Sequence, residues 1–161
     1  MKKRRLAKNH IIKNKTVRTI LSALAVAFFG FILLNLTFLF DFFYQSLVRG
    51  FVSLFIPLNP NADLMHISFV LIIGLISWFV FKSKLKTIYK AIYMTVPLAV
   101  VFATIGMFLY PWPIASYSLG IFFAFCVLYY LYRTKQPWVY YYTLILMSFA
   151  MLLVALLGVE I

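Results

Sequence analysis

The chain is poor in charge, and poorest in acid. Of 161 residues, only Asp41, Asp63 and Glu160 are acidic, and charged residues of both signs make up 11%. A soluble domain of this size carries about 25%. With 65% hydrophobic residues, 20% aromatics and a mean hydropathy of +1.01, a soluble fold would be a core with almost no surface. The single cysteine, Cys126, excludes an intrachain disulfide and leaves the redox compartment unread. Its neighbours Phe122, Phe123 and Phe125 mark it as a buried, unreactive thiol. No G-x-S-x-G motif and no glycine-rich phosphate loop is present. Of the two histidines, His10 lies in a basic tail and His66 beyond it, which excludes a two-histidine haem site within one chain.

Charge is also missing in a pattern. Five stretches, 19–40, 64–81, 91–109, 115–132 and 138–158, contain no Asp, Glu, Lys or Arg. Each is about 18 to 22 residues long, and a helix needs roughly 20 to cross a bilayer. The fold class expected is therefore all-α: a polytopic integral membrane protein with a bundle of five transmembrane helices. Residues 1–18 form a basic cytoplasmic tail and 19–161 a single transmembrane domain.

The basic residues set the orientation. Lys2, Lys3, Arg4, Arg5, Lys8, Lys13, Lys15 and Arg18 precede the first stretch. Lys82, Lys84, Lys86 and Lys90 lie between the second and third, and Arg133 and Lys135 between the fourth and fifth. With five crossings, all of these fall on one side. Arg49 and the three acids fall on the other. Lys and Arg near span ends stay in the cytoplasm. The N-terminus is thus expected inside and the C-terminus outside, in the plasma membrane. A sixth crossing over 42–58 would move two basic groups outside, and it would carry Gln45 and Arg49.

Segment 41–63 is the longest connection. Gln45, Arg49 and Ser53 recur at four-residue spacing, with Phe43, Leu47, Phe51 and Leu54 on the other side. This spacing predicts a short amphipathic helix lying in the outer interface. A re-entrant loop is the alternative. Pro97 is expected to kink the third stretch, because it lacks an N–H and its ring clashes with the preceding turn. Tyrosines and tryptophans gather at both ends of the stretches, as in the aromatic belts of membrane proteins.

Helices in lipid associate through small residues that let backbones approach. Ala23 and Ala27 mark such a face on the first stretch. Thr95, Ala99 and Ala103, with Gly106, mark one on the third, and Ser116, Gly120 and Ala124 one on the fourth. The third and fourth stretches are expected to pack along these stripes.

Chemistry is sparse. The strongest polar group inside a stretch is Asn35, read first as an interhelical hydrogen bond and second as a cargo contact. Carboxylate-driven pumping is not expected, because no Asp, Glu, Lys or Arg lies inside a stretch. Asp63 and His66, three apart on one helix turn, are the candidates for a cation, with Asp41 and Glu160 at the same membrane face. That spacing matches no recognised ligand set, and neither a metal nor a cofactor is expected. Arg133, Lys135 and Trp138 are placed to hold lipid headgroups, and the tail to contact anionic lipid. Nucleic acid is not an expected partner, since the tail has no aromatic residue for stacking.

The function expected is a non-enzymatic transport component: a carrier, flippase or channel subunit for a lipid or small molecule. The alternative is an accessory subunit of a larger membrane or envelope complex, partnered by another membrane protein or by further copies of itself. An intramembrane lipid-modifying enzyme ranks third. It would need Asp41, Asp63, His66 and Glu160 within reach of one another.

Overall fold

In a computed structural model, the backbone is described for residues 2–55 and 62–156, and the side chains for 16–54, 63–154 and Leu156. The described residues form six α-helices and no strand: α1 (Lys2–Phe55), α2 (Ala62–Lys82), α3 (Thr87–Tyr93), α4 (Thr95–Phe108), α5 (Pro113–Arg133) and α6 (Trp138–Leu156). Four segments are long and apolar enough to cross a membrane: Thr16–Leu54, Asp63–Lys82, Thr87–Phe108 and Pro113–Arg133. Trp138–Val154 is a shorter apolar helix.

α1 holds the largest difference from the sequence reading. It has 54 residues, about 80 Å at 1.5 Å per residue. Residues 41–55 continue it without a break, where a separate interfacial helix was expected. The reason is local. No proline occurs before Pro57, and Gly30 and Gly50 are too far apart to end a helix. Residues 56–61 lie outside the described set. The face of this extension also differs. Asp41, Tyr44, Gln45, Val48 and Val52 are half-buried, whereas Arg49, Ser53, Phe43, Leu47, Phe51 and Leu54 are all exposed. The helix likewise starts at Lys2, so the basic tail and the first apolar stretch are one continuous element.

The third apolar stretch is broken, as Pro97 leads one to expect. α3 ends at Tyr93, the residue whose carbonyl a proline N–H at 97 would have reached. Side chains supply donors around the break. Thr95 Oγ1 donates to the Ile92 carbonyl at 2.7 Å, and the Thr143 hydroxyl of α6 is shared between the Ala91 carbonyl at 3.2 Å and the Val139 carbonyl of its own helix at 3.0 Å.

α4 sits at the centre and touches every other helix. Half of the apolar window within Thr87–Phe108, which takes in α3 and α4, is buried, against 6% for α5. Val26, Ala91, Leu98, Ala99, Leu144 and Met147 belong to one buried cluster drawn from α1, α3, α4 and α6. The third and fourth stretches are packed neighbours, and the third also packs on α1. Thr95 is fully buried against Gly30 of α1. Ala99 and Ala103 are also buried, and Ala23 and Ala27 are half-buried. On α5, Ser116, Gly120 and Ala124 are half-buried. A Cβ on Gly120 would lie 3.8 Å from the Phe102 ring, and Phe102 meets Phe123 edge-on at 5.4 Å. The α4–α5 seam therefore holds an aromatic pair beside Gly120.

Candidate functional site

One polar cluster joins three helices. Asp41 lies on α1, His66 in the second turn of α2 and Thr104 near the end of α4. His66 Nδ1 stands 3.4 Å from Asp41 Oδ2, long for a hydrogen bond and ordinary for an ion pair. His66 Nε2 stands 3.1 Å from Thr104 Oγ1. Thr104 Oγ1 donates to the Val100 carbonyl of its own helix at 2.6 Å. The histidine side chain is 8% exposed and the aspartate 17%. The second carboxyl oxygen, Asp41 Oδ1, is buried and meets no donor among the described residues.

The surroundings hold this geometry in place. The Tyr44 hydroxyl, one turn along α1, lies 2.7 Å from Ser68 Oγ. Ser68 donates to the Met65 carbonyl, so Tyr44 is the donor. The Tyr44 ring also packs on Phe69 at 5.8 Å. Side chains on α1 and α2 thus also meet beside the Asp41–His66 pair, through Tyr44. A buried polar group is costly unless it is paired, so the cluster ties the relative rotation of α1, α2 and α4 together.

This cluster corrects two sequence readings. Asp41 was placed at the flank of the first stretch. Because α1 does not end there, Asp41 lies inside the apolar segment Thr16–Leu54. An ionisable group inside an apolar helix was the feature judged missing. The partner of His66 was sought in Asp63, three residues away. Asp63 is exposed, and His66 turns to Asp41 on another helix. Thr104 carried no sequence signal beyond being a polar residue in an apolar stretch.

The other candidates are dispersed. Asn35 is exposed, and its Nδ2 donates to the Phe31 carbonyl of its own helix at 2.8 Å. It makes no interhelical bond among the described residues. Cys126 is exposed rather than buried, because α5 turns it outward. Glu160 lies outside the described residues. Among the described residues, no three of His, Cys, Asp or Glu gather where they could hold a metal.

Arg133, Lys135 and Trp138 are exposed around the α5–α6 turn. Lys135 has φ 50, and its N–H and that of Gln136 bond back to the carbonyls of Tyr132 and Leu131. This is a Schellman close with lysine where glycine is usual. Beside the turn, Phe125, Leu128, Tyr129 and Tyr132 of α5 and Tyr141 of α6 line an open groove of about 410 Å³ with an almost wholly apolar wall.

Comparison with known proteins adds no relative: no family model matches the chain, and no curated protein or solved structure does.

Proposed function

We propose that this protein is a small multi-pass transport component of the plasma membrane, with the Asp41–His66–Thr104 cluster as its working polar centre. The observation that carries the reading is that cluster, buried between three apolar helices. Ionisable groups inside membrane helices are costly, and they mark ion or substrate pathways. Five crossings are read, with α3 and α4 together making the third. The one-sided placement of Lys and Arg supports a cytoplasmic N-terminus and an external C-terminus. The cluster then lies toward the outer face, near the α1–α2 connection. At the inner face, the apolar groove beside Arg133, Lys135 and Trp138 suits an acyl chain under an anionic headgroup. A lipid or a small amphiphile is the cargo class these two features support.

The second reading, an accessory subunit, is favoured by α1. It runs on past Asp41 to Phe55, about 21 Å, with Phe43, Leu47, Phe51 and Leu54 exposed. An apolar ridge of that kind suits a membrane-protein partner.

Native mass spectrometry of the protein, gently extracted from its own membrane, separates the two. Transport predicts a bound lipid or small molecule that Asp41→Asn or His66→Asn releases. A second polypeptide at fixed stoichiometry, with no such molecule, would replace transport by the subunit reading.

A further inference from the structure

We infer that Asp41 and His66 bind one exchangeable proton as a unit, with Thr104 changing from acceptor to donor at the ring when that proton leaves. The site rests on the transport reading for its role, as that reading's coupling ion, and on geometry for its existence.

The geometry counts hydrogens. The Thr104 hydroxyl has one hydrogen and two neighbours that could take it. The Val100 carbonyl is at 2.6 Å and the ring nitrogen at 3.1 Å. The shorter contact takes it, as is usual for a threonine bonding back along its own helix. Thr104 therefore turns a lone pair toward His66, and Nε2 carries a hydrogen. A neutral ring then has a bare Nδ1, facing Asp41 Oδ2 at 3.4 Å. Two acceptors face each other unless one more proton lies on the pair. With it, the site is an imidazolium beside a carboxylate, or two neutral groups. Either way its net charge is zero.

Removal of that proton has a defined consequence. The ring must move its remaining hydrogen to Nδ1 to serve the carboxylate, leaving Nε2 bare. The Thr104 hydroxyl must then leave Val100 and donate to Nε2. The site is left with one net negative charge, and Asp41 Oδ1 still has no donor among the described residues. Among the described residues, no Lys or Arg pairs with Asp41. On α1 the titratable neighbour is Tyr44, which donates to Ser68. On α2 it is Asp63, itself acidic. From Thr95 to Phe108, α4 has no ionisable side chain. A buried uncompensated charge is strongly disfavoured, so the proton acts as the missing cation. Its loss also frees the Val100 carbonyl from its threonine bond, which links protonation to α4.

The test is ¹⁵N NMR of ring-labelled histidine in the full chain, held in lipid nanodiscs and followed across pH. His10→Asn makes His66 the sole histidine. The expected result is a hydrogen on Nε2 on the acid side, with Nδ1 either protonated or accepting from the protonated carboxyl, and an Nδ1–H tautomer on the alkaline side. Asp41→Asn should abolish that pattern and leave an Nε2–H ring, its bare Nδ1 accepting from the new amide. An Nε2–H ring at every pH in the unsubstituted site overturns the inference. So does an identical response in Asp41→Asn. If that variant does not fold, the tautomer with Asp41 intact decides alone. The two readings separate cleanly. A protein that carries cargo while its ring ignores pH loses the proton site only. One whose ring switches tautomer but that carries no cargo loses transport only.

Discussion

Gly30 of α1 packs directly on Thr95 of α4, and it offers the sharpest test of the packing. A Cβ built there would lie 2.7 Å from Thr95 Cγ2, well inside the 3.5–4.0 Å of ordinary carbon contact. Thr95 cannot easily turn away. It is fully buried, and rotating its methyl aside would break the 2.7 Å bond from Oγ1 to the Ile92 carbonyl. Overpacking of this kind costs about 1–3 kcal/mol. Alanine in place of glycine within a helix contributes about 1 kcal/mol in the other direction. Gly30→Ala alone should therefore destabilise by about 0–2 kcal/mol. Thr95→Ser deletes the clashing methyl and keeps the hydroxyl. In that background Gly30→Ala should be stabilising by up to about 1 kcal/mol. Reversible unfolding of the four proteins in mixed micelles closes a double-mutant cycle, with a coupling of about 1–3 kcal/mol expected. A coupling near zero would mean that α1 and α4 do not approach through this pair, and the central seam would need redrawing.

Lys135→Gly should stabilise the protein by about 1 kcal/mol in the same unfolding assay, because φ 50 strains any residue with a Cβ. Thr143→Val keeps the shape of a fully buried side chain but removes a hydroxyl shared between the Ala91 and Val139 carbonyls, so a loss of about 1 kcal/mol is expected. Asn35→Leu should change stability by less than about 0.5 kcal/mol, since the amide bonds only its own helix among the described residues. A larger loss would give Asn35 the interhelical role first read for it. A cysteine at position 160, in a chain with Cys126→Ser, should react with an impermeant thiol reagent on intact cells. Labelling only after permeabilisation would reverse the proposed orientation.

The helices were legible because their causes are local. Runs without charge set where each helix lies. Pro97 set the break between α3 and α4, and Pro113 and Pro137 stand at the starts of α5 and α6. The end of α1 was misjudged because Asp41 looked like a boundary, although a single acid does not stop a helix. Cys126 was misplaced because its aromatic neighbours were taken for a core. α5 in fact turns Phe122 and Phe125 outward as well.

By itself the sequence determined that the chain is helical and apolar, where most of its helices lie, and that the basic residues cluster at one set of their ends. Those properties add up residue by residue along the chain. Tertiary structure alone decided that Asp41, His66 and Thr104 meet, that Thr95 packs on Gly30, and that Phe102 of α4 meets Phe123 of α5. Each of these depends on how far a helix is rotated about its own axis. Several faces of every helix here are apolar enough to be buried, so local pattern cannot choose among them. The choice is made when polar groups find partners and backbones find room, a property of the whole bundle.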